Sequence, residues 1–87
     1  MELQNARLLI GEEKAVLTPV RFEGAHSALG CKGTITVPKA CGFLPEMLNG
    51  LVYIDYGDRV YRVTRTWDTR LEGDNYVIGC FGVPDKD

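Results

Sequence analysis

The sequence predicts an all-β, mainly antiparallel domain: a small barrel or sandwich of roughly five to six short strands with at most one short helical turn. Three observations carry that expectation. Apolar runs are short, glycine or proline punctuates nearly every junction, and no stretch keeps a helical period over several turns. The clearest run is Gly50–Trp67, GLVYIDYGDRVYRVTRTW, where two apolar segments flank Gly57-Asp58, a pair that favours a tight hairpin turn. With Tyr56 and Arg59 flanking the turn, Ile54 faces Tyr61 and Val52 faces Val63 on one side of the ribbon. The other side pairs Tyr53 with Arg62, Leu51 with Thr64 and Asp55 with Val60. A one-residue slip would mix the two faces, so the pattern fixes the register.

The remaining elements follow in chain order. Ala6–Ile10 and Lys14–Phe22 are apolar segments joined by a hairpin-like link at Gly11–Lys14. The second presents Val16, Val20 and Phe22 on one face with Thr18 between them, and Pro19 places it at an edge or beside a bulge, because proline has no N–H for a ladder. Glu23–Gly33 is rich in glycine and small residues and reads as a flexible loop or a loosely held edge. Thr34–Val37 is a β-branched strand stopped by Pro38, and Pro45–Asn49 suits one helical turn ended by Gly50. After the central hairpin (50–67), Asp68–Asp74 reads as a polar connection. Asn75–Phe81 is then a last strand with Tyr76, Ile78 and Cys80 inward and Gly79 leaving a gap on the outer face. Gly82-Val83-Pro84 ends the sheet, and the tail, 83–87, finishes in the charged, frayed Asp85-Lys86-Asp87.

Length and composition bound the function. A chain of 87 residues forms one domain, spanning 1–87, with a thin core. It is 45% hydrophobic and 25% charged, which carries no mark of disorder, and its net charge of −2 argues against a binder that works by neutralising phosphates. The N-terminal apolar stretch is too short for a signal peptide, and no run approaches the ~18 apolar residues of a membrane span, so a cytosolic pool is expected. Three cysteines, an odd number, read as reduced thiols.

Chemistry-bearing clusters are sparse. Cys31, Cys41, Cys80 and His26 lack the close ligand pairs of a zinc site, and Cys31 with His26 lacks an orienting third group, so neither a metal nor a catalytic residue is expected and no cofactor is implied. The aspartates beside turns read as turn formers. Arg59, Arg62, Arg65 and Arg70 interleave with Tyr53, Tyr61 and Trp67, the pattern of a nucleic-acid barrel, but alternation sends Arg62 away from Tyr61 and Trp67 and toward a stack on Tyr53. Trp67 has two readings, a cap on the barrel end or an interface hot spot. The candidate partner-binding residues are therefore Trp67, Arg65, Arg70 and His26.

From Thr34 onward the order of features resembles the small head–tail connector, head-completion, neck or minor capsid proteins of tailed phages and prophages. The matching positions are Val37-Pro38, Gly57 and Tyr61-Arg62-Val63, followed by the closing strand NYVIGCFG. The resemblance covers some fifty residues. It implies a non-enzymatic component assembled in the host cytoplasm and carried in the virion, touching portal, adaptor or tail proteins and copies of itself in a ring. That assembly reading predicts a monomer in isolation with a disordered loop between Glu23 and Gly33. A small β-barrel that binds nucleic acid is the alternative. The resemblance brings no catalytic residue with it.

Overall fold

The chain closes a six-stranded antiparallel barrel in the order β1-β2-β3-β6-β5-β4. Its strands are β1 (Glu2–Ile10), β2 (Ala15–Ser27), β3 (Gly30–Pro38), β4 (Val52–Asp55), β5 (Val60–Glu72) and β6 (Asn75–Pro84). This computed structural model describes residues 2–57 and 59–85, without the side chains of 2–5 and 45. Asp58 and the last two residues, which the sequence placed in a turn and a tail, lie outside the described set. Two short 3₁₀ turns, Lys39–Cys41 and Pro45–Asn49, stand where the sequence allowed one.

The central hairpin adopts the expected register, with Tyr53 opposite Arg62, Ile54 opposite Tyr61 and Asp55 opposite Val60. Val52, Ile54 and Tyr61 are fully buried in a core that also holds Leu8, Phe22, Ile35, Val37, Phe43, Ile78 and Cys80. Each large apolar side chain buried in this way contributes about 1.5–3 kcal/mol. The β1–β2 link is the tight turn expected, closed by the Lys14 N–H donating to the Gly11 carbonyl at 3.0 Å. Inside β2, Thr18, Val20 and Phe22 face inward as read, but Val16 is exposed. A bulge explains it. Leu8 opposes Thr18 while Leu9 opposes Val16, so Leu17 is an extra residue that reverses the alternation. Pro19 sits two residues away, on the part of β2 that pairs with β1 alone.

Three segments differ from the sequence reading. Glu23–Gly33 is no loop: Glu23–Ser27 pairs residue by residue with Gly30–Thr34 as the tip of the β2–β3 hairpin. Its glycines serve packing. Gly24 faces Gly33, and a Cβ on Gly33 would lie 2.9 Å from the Phe22 ring tip and 2.8 Å from the Gly24 Cα. Asp68–Asp74 is likewise ordered, since β5 runs on to Glu72 and only Gly73 and Asp74 turn the chain into β6. Its polarity reflects a two-stranded ribbon whose β5 side chains face solvent, not a loop. Val83 and Pro84 belong to β6, opposite Arg62 and Tyr61, rather than to the tail.

The β3–β4 connection plugs one end of the barrel. Phe43 inserts between its two 3₁₀ turns, 1% exposed, and meets Tyr76 edge-to-face at 5.7 Å. Gly33→Ala should lower stability by about 2 kcal/mol or more, because the neighbouring backbone cannot retreat, whereas Leu29→Ala at the exposed hairpin tip should change it by less than about 0.5 kcal/mol. Urea unfolding of the two variants measures the contrast.

Candidate functional site

Two places concentrate chemistry: an outer face on β3, β6 and β5, and the barrel end opposite Phe43. The outer face is a product of bulges. Strict alternation from buried Tyr61 would send Val63, Arg65 and Trp67 inward together. Instead β5 carries extra residues at Thr64 and Trp67, where the pairing with β6 shifts. The first shift puts Arg65 opposite Phe81, which in turn lies opposite Lys32 on β3. Cys80 and Ile78 point inward, so the row Lys32–Phe81–Arg65 points out. The second shift turns the Trp67 indole onto Gly79, where a Cβ would fall 2.7 Å from its Cε2. The gap expected at Gly79 is therefore filled by Trp67, which lies on the wall of the barrel and not over its end. Trp67 stays 52% exposed and Phe81 40%.

Of the candidate residues, Trp67 and Arg65 share this face. Arg70 lies farther along the ribbon, opposite Val77, with its Nε 3.4 Å from Asp68 and its Nη2 3.4 Å from Glu72. His26 is elsewhere, at the barrel end. Arg62 does face Tyr53 across the strands, but the cation over that ring is Lys14, 5.2 Å from its centroid. Phe81 and Lys32 escaped the sequence reading. The outward phase of Phe81 was implied by inward Tyr76, Ile78 and Cys80, but its company depended on strand order.

At the barrel end, His26 stacks on Tyr56 at 4.3 Å, and Tyr56 meets Phe22 and Tyr61 edge-to-face at 5.4 and 5.3 Å. The Tyr61 hydroxyl donates to the Ser27 carbonyl at 2.6 Å, and the His26 Nδ1 lies 3.4 Å from the same hydroxyl. His26 and Cys31 come directly opposite each other in the β2–β3 ladder, so the topology does bring that pair together. Their surroundings do not activate it. Burial pushes the Cys31 thiol up, against smaller opposing effects of Tyr56 and the Gly82 backbone. Burial, reinforced by Cys31, pushes Cys80 up to about 12. A nucleophilic cysteine needs the opposite shift. Burial likewise raises the Tyr56 phenol, whose buried hydroxyl has the Cys31 thiol beside it and no nitrogen or oxygen partner. A pocket of about 290 Å³ opens next to this end, lined by His26, Cys31, Leu29, Lys32 and Phe81 among others.

The carboxylates behave as turn and strand groups. Asp55 accepts from the Gly57 N–H at 2.7 Å and pairs with Arg7 across β1–β4. Among the described residues no group of three histidine, cysteine or acidic side chains converges to hold a metal ion, and no helix is long and apolar enough to cross a membrane. Compared with known proteins, the chain matches no family model, no curated protein and no solved structure.

Two outcomes test this description. Gly79→Ala should lift the indole off β6 and shift the emission of Trp67, the sole tryptophan, measured as a fluorescence spectrum on the folded variant. For the thiols, the folded Cys80 stays protonated where the unfolded one ionises, so their stabilisation is complete below the ordinary value of 9.0 and fades as pH rises toward about 12. The urea midpoint should fall over that alkaline range, and less so in Cys80→Ala.

Proposed function

We propose that this chain is a non-enzymatic assembly module that binds another protein through the preformed face around Trp67. The observation that carries the reading is a half-exposed tryptophan seated on Gly79, next to an exposed Phe81 that is flanked by the cations Arg65 and Lys32, on a three-strand wall. Tryptophan and arginine are the residues most enriched where binding energy concentrates, and a side chain already held in place loses little entropy on docking. The particular setting is the one the sequence resembles, a head–tail connector or other minor component of a tailed-phage particle. In it the chain is drawn from the host cytoplasm, meets portal, adaptor or tail proteins and copies of itself in a ring, and ends in the virion. With Glu23–Gly33 paired in a hairpin, contact is made by surfaces already formed and not by ordering that segment.

A second reading is favoured by one observation, the row of aromatic and cationic side chains Lys32, Phe81 and Arg65 on one face, which suits stacking with single-stranded nucleic acid. Against it stand the net charge of −2 and the acids Asp68 and Glu72 that hold Arg70. The experiment is binding of the chain to portal, adaptor and tail proteins of a tailed phage, followed by the fluorescence of Trp67. Trp67→Ala should weaken the complex roughly thirtyfold or more with unchanged circular dichroism. Absence of any complex, or one indifferent to Trp67→Ala, contradicts the reading. Salt-sensitive quenching of Trp67 by oligo-dT at low salt would replace it with the second.

A further inference from the structure

We infer that the free edge of β5 pairs with the same edge of a second copy, joining two barrels through a continuous antiparallel sheet with its two-fold axis at Thr69. The strand β4 reaches β5 only over Val60–Arg62, so from Val63 to Glu72 β5 is laddered on one side, by β6, and its other edge is open. The open edges on β2 and β3 are blunted. Pro19 lies on the part of β2 that lacks a β3 partner, and Pro38 on the part of β3 that lacks a β2 partner. Proline and lysine are common guards against edge-to-edge pairing, and β5 has neither between Val63 and Glu72. Past its second bulge, Asp68–Glu72 runs in unbroken register opposite Gly79–Asn75.

Charge selects both the occupant and the register. Asp68 and Arg70 point to the outer face, opposite Gly79 and Val77, and Thr69 points to the other, opposite Ile78. An antiparallel pair centred on Thr69 sets Asp68 against Arg70 of the second copy and Arg70 against its Asp68, two attractive pairs made by one symmetric operation. Centring on Arg70 sets arginine against arginine and Asp68 against Glu72. Centring on Leu71 runs the ladder into the Gly73-Asp74 turn after Glu72. Only the Thr69 register joins a long ladder to opposite charges. The pairing sets Trp67 at the margin of the ladder, opposite Leu71 of the second copy, and leaves Phe81 on β6 and Lys32 on β3 uncovered, so it goes beyond the partner reading. Closed pairs of this kind enter a ring through other surfaces.

The test is sedimentation velocity of the full chain over a wide concentration range, with three variants checked by circular dichroism. The wild type should show a concentration-dependent monomer–dimer equilibrium. Arg70→Asp, which puts like charges opposite each other twice, should raise the dimer dissociation constant about tenfold or more. The double variant Asp68→Arg, Arg70→Asp restores complementarity and should return the constant to within about threefold of wild type. Phe81→Ala, on β6 within the partner face and off the paired edge, should leave it unchanged, separating this result from the fate of that face. A chain that stays monomeric at every concentration, or a dimer whose constant ignores Arg70→Asp, overturns the inference.

Discussion

Closure of the barrel depends on a strand of four residues. β4 is the sole link between β1 and β5, and it pairs with them over Arg7–Ile10 and Val60–Arg62. So short a strand holds because both of its faces are covered: all four residues are buried. Val52 and Ile54 fill the core. Tyr53 is covered by Lys14, which is itself tied to Asp85 at 2.5 Å, and Asp55 is satisfied by Arg7 and the Gly57 N–H. The Gly11 N–H donates to the Leu51 carbonyl at 2.9 Å and the Asp85 N–H to the Val60 carbonyl at 2.9 Å, so backbone bonds extend the junction past the ladder itself. The brevity of β4 has a second consequence, the open edge along most of β5.

The two barrel ends are stopped by different chemistry. Phe43 and Tyr76 close one with apolar rings alone. The other is filled by Phe22, Tyr56, Tyr61 and His26, with the Tyr61 hydroxyl spent on the Ser27 carbonyl and the His26 ring beside it, and the Tyr56 hydroxyl buried against the Cys31 thiol. The same packing that buries Cys31 and Cys80 keeps them protonated, so the most suggestive cluster of side chains in the sequence becomes a structural stopper. In the proposed reading, the groups that meet another protein lie on the outside wall, held by the sheet.

The residues made some of this legible and concealed the rest. The register of the β4–β5 hairpin could be read because Ile54 and Tyr61 would leave the core under any slip. The fate of Val16 and Trp67 could not, because a bulge needs no particular residue type and yet reverses the alternation of everything beyond it. The glycines of Glu23–Gly33 look alike as sequence whether they loosen a chain or let two strands close over Phe22, and only the pairing of Gly24 with Gly33 decides. In the candidate site, Trp67 and Arg65 were visible as types, while Phe81 and Lys32 joined them only once β6 lay between β3 and β5.

Residue-resolved amide hydrogen exchange in dilute solution tests most directly whether β4 closes the barrel and stops short along β5. Val52–Asp55 and the Glu23–Gly33 hairpin should be protected, while from Val63 to Glu72 protected amides bonded to β6 should alternate with fast ones on the open edge. Uniform protection along β5, or fast exchange throughout β4, would contradict the account.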